Sequence, residues 1–226
     1  MIVSRVLLIC CLALSGTSLR GDLVNLSSRS QTEAGEGAII AGFVLDGPTA
    51  EPVLIRAAGP ALLDYGVEDA LSAVRLELFR GQELLAENTG WDTGSDAAEI
   101  AAVAERVGAF SFAASSADAA MLIELPPGAY TATVTPAPGA ELIGVTLVEV
   151  YDTDTASEVR LVNLSARSKV REGSDRLIAG FVVEGTGNRV LTRGVGPTLG
   201  DFGVVDAMAD PAIEIFAGET SRASAS

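Results

Sequence analysis

The sequence predicts an all-β fold: a β-sandwich module with one short amphipathic helix, followed by a second, incomplete copy of the module. Three observations predict it. Most segments between turn residues are short, rich in β-branched residues and alternate apolar with polar side chains. A single stretch has the apolar spacing of an amphipathic helix. A long stretch also occurs twice. The predicted bounds are a signal peptide over 1–20, a complete module over 21–152, a linker over 153–160, the first half of a second module over 161–218 and a disordered tail over 219–226.

The N-terminus has the pattern of a secretory signal peptide. Arg5 precedes an apolar run from Val6 to Leu14, and small residues follow, so we expect cleavage near Ser15 or Ser18. The run is shorter than the ~20 residues of a transmembrane helix. A membrane anchor is the alternative interpretation. The pattern therefore predicts a secreted protein, extracellular or at the cell surface, with no membrane span in the mature chain.

The composition excludes most catalytic chemistry. Both cysteines, Cys10 and Cys11, lie in the predicted leader, the chain has no histidine, and Lys169 is its one lysine. Disulfides, thiolate metal sites and a Ser-His-Asp triad are thereby excluded from the mature chain. We expect no enzyme activity, no catalytic residues and no cofactor, with calcium as the one weak possibility.

The acidic balance restricts the partners. The net charge is −15, and loss of Arg5 and Arg20 with the leader makes it two units more negative. Such a surface repels phosphate backbones, so nucleic acid is not an expected partner. Solubility outside the cell explains the charge, and binding of a divalent cation is the alternative.

The strand pattern covers most of the chain from Leu23 to Tyr151, where about nine strands are expected, as in a β-sandwich. The stretch 119–136 predicts a hairpin that turns at Pro127-Gly128. The last strand, which begins near Leu142, is apolar on both sides and is expected to be covered on both faces.

The single predicted helix spans Ala97 to Val107. Asp96 fits the N-cap position, Glu99 follows three residues later, and Gly108 ends the apolar stripe. We expect the helix to lie over an edge or an end of the sandwich.

The duplication relates residues 23–81, here called the first segment, to residues 161–218, the second segment. “LVNLSSRS” and “LVNLSARS” begin them, “IIAGFVLDG” matches “LIAGFVVEG”, and nearly half of all aligned positions are identical, with one deletion near Gly187. A duplication of this kind is typical of modular arrays. Counterparts of residues 82–151 are not recognisable after the second segment. We expect the half-module to be completed by the first copy or by another chain, or the chain to be a fragment.

Three duplicated positions form the candidate structural site, where an arginine ends a strand just before Gly-Pro. The glycines resemble a phosphate-binding loop only loosely, because proline occupies a position where a backbone amide would be needed. Gly-Pro instead predicts a turn. The arginine is expected to bind loop carbonyls or an acid such as Asp69 or Asp206, with a ligand as the alternative. The positions are Arg56, Gly59 and Pro60 in the first segment and Arg193, Gly196 and Pro197 in the second.

Asp92 is the one candidate metal-binding residue. With Asp96 it could begin a calcium or sugar site, and Trp91 could stack on a sugar. The alternative is that Asp96 caps the helix and Trp91 packs at the rim of the sandwich. The duplicated sequons at Asn25 and Asn163 are expected to be polar residues at strand edges.

A series of motifs runs along residues 23–152: “LVNLSSR”, “IAGFV”, “VLIRAAGP”, “GAFSF”, “DAAMLIELPPGAYTATV” and “GVTLVEVYD”. This series resembles a repeat unit of large secreted bacterial proteins that is commonly labelled immunoglobulin-like. The resemblance implies a non-catalytic extracellular β-module that occurs in tandem, and it implies no catalytic residues.

The function expected from these observations is that of a secreted or cell-surface structural or adhesion repeat module. Its partners would be other copies of the module or a cell-surface polymer or protein. The alternatives are a carbohydrate-binding module, which would need an exposed row of aromatic rings, and an accessory domain of a larger extracellular enzyme. A glycoside hydrolase would need a pair of facing acids, and the sequence nominates none.

Overall fold

The computed structural model describes the backbone of residues 4–12 and all atoms of residues 23–154, 157–171, 175–185 and 189–225. The fold of these residues is all-β with one short α-helix. The elements are β1 (Ser4–Leu12), β2 (Leu23–Glu33), β3 (Ile39–Asp46), β4 (Glu51–Ala58), β5 (Val74–Arg80), β6 (Glu83–Asn88), α1 (Ala97–Arg106), β7 (Ala119–Leu125), β8 (Gly128–Pro136), β9 (Ile143–Asp152), β10 (Arg160–Val170), β11 (Ile178–Val183), β12 (Val190–Val195), β13 (Ile213–Ala217) and β14 (Thr220–Ala225).

The strands form one large antiparallel sheet in the order β6-β5-β8-β3-β10-β2-β9-β4-β7. A single bridge between Leu161 and Leu23 connects β10 to β2. β11 pairs with β2, and β1 pairs with both β10 and β12. β13 and β14 form a separate hairpin. The sheet therefore has two halves, β6-β5-β8-β3-β10 and β2-β9-β4-β7. They are joined where the first strand of the second segment, β10, meets the first strand of the first segment, β2.

Side chains along a strand point alternately to the two faces of the sheet, so every second residue, usually an apolar one, lies on the inner face. On β3, for example, Ile39, Ala41, Phe43 and Leu45 are buried, and the Phe43 ring stacks on Tyr130 with centroids 5.5 Å apart. The core is contributed by both segments. Its buried members include Leu23, Leu26, Ile39, Phe43, Val53, Ile55, Leu76, Leu78, Val134, Val148, Val150, Leu161 and Leu164.

A second apolar layer lies under α1, on the outer face of β4, β7 and β9. Ile100 and Val103 of the helix pack there with Leu54, Ala120 and Tyr151. The predicted helix is thus present, ending one residue earlier than expected, and β9 is buried from Val148 to Asp152 on alternate faces.

The N-terminus of α1 differs from the prediction in its chemistry. The Asp96 backbone carbonyl accepts a hydrogen bond from the Ile100 amide, but the Asp96 carboxylate makes no capping hydrogen bond. The chain leaves the helix through Gly108, whose φ of 74° suits glycine.

The predicted hairpin over 119–136 is wrong. β7 pairs with β4, whereas β8 pairs with β3 and β5, so the two strands lie in different parts of the sheet. Pro127-Gly128 turns the chain from one to the other. The alternation of apolar residues is the same for a strand in either place, so the sequence does not distinguish them. Residues 23–152 contain eight strands rather than nine.

The predicted tail also differs from the structure. Within 219–226, Thr220–Ala225 forms β14, paired with β13 across a turn at Gly218. β5 and β6 form the same hairpin at Gly81, with a bulge at the equivalent place, between Leu78 and Phe79. The predicted linker is shorter than 153–160, since β9 ends at Asp152 and β10 begins at Arg160.

The predicted leader contains β1. Its expected cleavage sites at Ser15 and Ser18 lie outside the described residues, as does the deletion near Gly187. None of the described residues belongs to a helix that is long and apolar enough to cross a membrane.

Candidate functional site

The two segments exchange their first strands. β10, the first strand of the second segment, pairs with β3 of the first, so that Leu164 lies opposite Phe43. β2, the first strand of the first segment, pairs with β11 of the second, so that Leu26 lies opposite Phe181. The register is the same in both pairs. Each “LVNLS.RS” strand therefore contacts the “IAGFV” strand of the other segment.

A serine and a glycine meet at the centre of each exchanged pair. Ser165 lies opposite Gly42, its Oγ occupies the space that a Cβ on Gly42 would need, and it donates a hydrogen bond of 3.4 Å to the Gly42 carbonyl. In the other pair, a Cβ on Gly180 would lie 2.7 Å from Ser27 Oγ. The serine of one motif and the glycine of the other are thus complementary parts of one contact.

Polar contacts also join β2 to β10. Ser168 Oγ lies 2.8 Å from Ser30 Oγ in the core, and these two serines are equivalent in the duplication. Lys169 Nζ lies 3.0 Å from Glu33, and Arg171 forms an ion pair with the same carboxylate. Burial opposes the effect, but these two cations hold the pKa of Glu33 below its usual value. Contacts between equivalent or neighbouring positions indicate an approximate twofold relation between the segments here.

The asparagines of the sequons are not at strand edges. Asn25 lies opposite Val182 on one side and Tyr151 on the other, so β2 is an interior strand at this point. Asn163 lies opposite Val44 and Cys11 in the same way. The prediction of polar residues at an edge is therefore wrong, because β2 lies between β11 and β9 and β10 lies between β3 and β1.

Arg56 is the centre of a buried cluster of polar side chains. It projects from β4, is 1% exposed, and its guanidinium Nη1 lies 3.1 Å from Glu149 Oε2 on β9. Its Nη2 donates a 2.5 Å hydrogen bond to the Phe110 carbonyl, and the Tyr151 hydroxyl lies 2.9 Å from Glu149 Oε1. The expected bond to a loop carbonyl is present. The acid is Glu149 rather than Asp69 or Asp206.

Burial is the largest cause of the pKa shifts in this cluster. Loss of water raises the pKa of Glu149, and the charge of Arg56 counteracts only part of this effect. Burial, followed by the nearby Glu149 charge, raises the pKa of Tyr151 far above its usual value. Because the guanidinium is enclosed, it cannot reach a ligand from solvent. The cluster instead ties β4 to β9 and to the loop at Phe110.

Two aromatic rings lie against this arginine, and two further rings pack against those. Its Cζ lies 4.0 Å from the Phe112 centroid and 4.6 Å from the Phe110 centroid, within the range of cation–π attraction. Tyr65 contacts Phe110 and Trp91 contacts Phe112. The angles between successive ring planes are 59°, 73° and 62°, so the rings do not form a flat platform for a sugar.

The Gly-Pro motif begins a 3-10 turn, Pro60–Tyr65, directly after β4. Gly59 is required because a Cβ there would lie 2.6 Å from the Leu71 carbonyl oxygen. The buried Asp118 holds the turn, since its carboxylate accepts hydrogen bonds of 2.7 Å from the Gly59 amide and 3.2 Å from the Ala61 amide. Sequence reasoning missed Asp118, as well as Glu149, Phe110 and Phe112, because none of them lies in the duplicated segments.

The second segment has the same turn without the same cluster. Gly196 and Pro197 begin the 3-10 turn Pro197–Phe202, and a Cβ on Gly196 would clash with the Met208 carbonyl, the counterpart of Leu71. Arg193 is exposed, whereas its counterpart Arg56 is enclosed. The structure thus places the six predicted positions where two equivalent strands lead into two equivalent turns, and it buries only the first arginine.

Asp92 and Trp91, the residues of the candidate calcium or sugar site, both bind backbone groups of the protein. Asp92 Oδ2 accepts a 2.7 Å hydrogen bond from the Ser115 amide, and Trp91 Nε1 donates one of 2.9 Å to the Ala113 carbonyl. Both residues therefore fix the loop that follows α1. No cluster of three or more potential metal ligands occurs in the described ranges.

Comparisons of the chain with models of protein families, with curated proteins and with solved structures found no match.

Proposed function

We propose that this chain is a non-catalytic, secreted or cell-surface structural module that works in tandem with further modules, each a β-sandwich joined to the next by exchange of the first strand. The role of such an array is to extend a protein from the cell surface and to carry load or adhesive contacts. The observation that carries this proposal is the reciprocal exchange of β2 and β10, whose contacts with β11 and β3 have the same register.

Exchange suits a load-bearing role for a physical reason. When a strand of one module lies inside the sheet of the next, separating the modules requires a ladder of backbone hydrogen bonds to break. A flexible linker would require no such loss. The exchanged strands also bury Leu26 and Leu164 in the common core. The connection therefore has the strength of the fold itself.

The leader-like N-terminus and the acidic composition support placement outside the cell. The resemblance to repeat units of secreted bacterial proteins points the same way. The sequence has no histidine and both cysteines lie in the predicted leader, so the proposal includes no catalytic role.

A double-mutant cycle tests the exchange. We expect Gly42→Ala to destabilise the chain by about 1 to 2 kcal/mol, because its new Cβ meets Ser165 Oγ. In a Ser165→Ala background the hydroxyl is absent, and the cost of Gly42→Ala should fall below about 0.5 kcal/mol. Urea unfolding followed by circular dichroism measures both values.

The matched control is Ser27→Ala, the equivalent serine of the first segment. If each segment paired with its own first strand, Ser27→Ala and not Ser165→Ala would relieve Gly42→Ala. That outcome, or a Gly42→Ala variant as stable as the parent, would contradict the exchange and the proposed function with it.

A further inference from the structure

The strand β1 lies between β10 and β12, in the position that corresponds to β9. In the first segment, Tyr151 of β9 lies opposite Asn25 of β2 and Leu54 of β4. In the second segment, Cys11 of β1 lies opposite Asn163 and Leu191, the counterparts of those two residues. β1 therefore takes the place of a β9 strand.

The correspondence extends along the strand. Glu149 of β9 lies opposite Ser27 and Arg56, and Ile9 of β1 lies opposite their counterparts Ser165 and Arg193. The register is kept over the whole length that the two strands share. The pairing of β1 with β10 and its pairing with β12 therefore give the same alignment of β1 with β9.

The residue types of β1 suit this position between two strands less well than those of β9 suit theirs. Arg56 has the Glu149 carboxylate as its partner, whereas the residue opposite Arg193 is an isoleucine. The β12 side chains also remain more accessible than their counterparts on β4. Leu191 is 53% exposed and Val190 36% exposed, whereas Leu54 and Val53 are fully buried. A strand with a carboxylate opposite Arg193 would supply the charged partner that Ile9 does not.

We propose that the space between β10 and β12 is a strand-acceptor site, which binds an extended segment with the apolar pattern of β9 and a carboxylate opposite Arg193. The donor is the β9-type strand of another module, and β1 occupies the site in the chain before the leader is removed. Binding adds a strand between two existing strands, so backbone hydrogen bonds form on both sides of it. Arg193 makes the site selective for an acidic residue at one position.

The inference rests on the register of β1 and extends the proposed tandem assembly. The two can fail separately. The serine–glycine cycle tests the contacts between β3 and β10, which do not involve β1, whereas the experiment below tests only the space between β10 and β12.

The experiment uses the full chain with a protease site inserted between residues 20 and 21. A fluorescent peptide with the sequence of residues 143–152, IGVTLVEVYD, is added before and after cleavage, and fluorescence anisotropy measures its binding. We expect at least tenfold tighter binding after cleavage. We also expect at least tenfold weaker binding of the peptide with Glu149→Gln, because it lacks the charge opposite Arg193.

A charge reversal separates this site from pairing at any free strand edge. The chain with Arg193→Glu should lose the preference for the parent peptide and prefer the peptide with Glu149→Arg by at least tenfold. Hydrogen exchange should show the amides of residues 163–170 and 190–195 protected before cleavage, less protected after it, and protected again with peptide.

Three results would overturn the proposal: no binding after cleavage, equal binding of the parent, glutamine and scrambled peptides, or protection of other strands instead of β10 and β12. If the cleaved chain loses its fold, the peptide should restore the circular dichroism spectrum of the uncut chain, and failure to restore it would also overturn the proposal.

Discussion

At the scale of single residues, two arginines at equivalent positions of the duplicated segments have different environments. Arg56 is enclosed by Glu149, Phe110 and Phe112, and its counterpart Arg193 is exposed. The sequence predicted that Arg56 would bind a loop carbonyl, and it does. It did not identify Glu149, because the pairing depends on β9 lying beside β4, which no local pattern encodes.

The two arginines make a matched pair for a stability measurement. We expect Arg56→Met to cost about 3 to 5 kcal/mol of unfolding free energy, because Glu149 is left charged and buried without its partner. Arg193→Met should change it by less than about 0.5 kcal/mol, as for most surface substitutions. Urea denaturation measures both.

A second substitution identifies the cause of the loss. Adding Glu149→Leu to Arg56→Met removes the buried carboxylate that has lost its partner, so much of the lost stability should return. If the double variant is as unstable as Arg56→Met alone, then the arginine acts through packing against the two phenylalanine rings instead.

Asp152 predicts a dependence of stability on pH. Burial, together with the nearby Glu51 and Asp154 charges, raises its pKa to about 6, although the Asp154 amide donates a hydrogen bond that opposes the shift. The folded state therefore binds a proton more tightly than the unfolded state, whose aspartate has a pKa near 4. This group should make the protein more stable as the pH falls from about 7 towards 4.

Asp152→Asn should imitate the protonated form. We expect it to stabilise the chain at pH 7 by on the order of 1 to 2 kcal/mol and to flatten the pH dependence between pH 7 and pH 5. Thermal unfolding over this range measures the effect, with the exposed helix residue Glu105→Gln as the control. A variant with the same pH profile as the parent would show that Asp152 titrates normally.

At the scale of elements, α1 was the easiest feature to predict and the hairpins were the hardest. The 3.6-residue spacing of Ile100 and Val103 identifies a helix with one apolar face. The alternation in β7 and β8 identifies strands but not their neighbours, so the wrong hairpin was predicted. β14 was missed for a related reason, since its exposed residues 220–225 give it no alternation at all.

The helix should contribute to stability through its contact with β4, β7 and β9. Ile100 is buried against this outer face. We expect Ile100→Ala to cost about 2 to 4 kcal/mol, as for other large-to-small core substitutions. The exposed Glu99→Gln on the same helix should have an effect below about 0.5 kcal/mol. Equal stability of Ile100→Ala and the parent in urea would mean that the helix packs loosely on the sheet.

At the scale of the whole molecule, the duplication predicted the elements of the second segment but not how the two segments combine. Identity between “LVNLSSRS” and “LVNLSARS” identifies equivalent strands. It is compatible both with pairing inside one segment and with pairing between segments, because the partner motif is also duplicated. The exchange is consequently a property that the sequence of one chain leaves open.

The exchange predicts how the molecule melts. Because β10 completes the sheet of the first segment and β2 that of the second, neither can unfold without breaking the other. We expect one cooperative transition in calorimetry, with equal calorimetric and van’t Hoff enthalpies. Two separated transitions would instead indicate segments that fold independently.

The exchanged strands are far apart in the sequence, and this separation also affects how the chain folds while it is being synthesised. Gly42 and Ser165 are 123 positions apart. As the polypeptide leaves the ribosome or crosses a membrane from its N-terminus, β3 has no exchanged neighbour until β10 emerges. Loops of this length close slowly, and an open strand edge attracts other chains in the meantime. A protein built this way benefits from a chaperone, or from slow release, during the interval in which residues 47–159 are being synthesised.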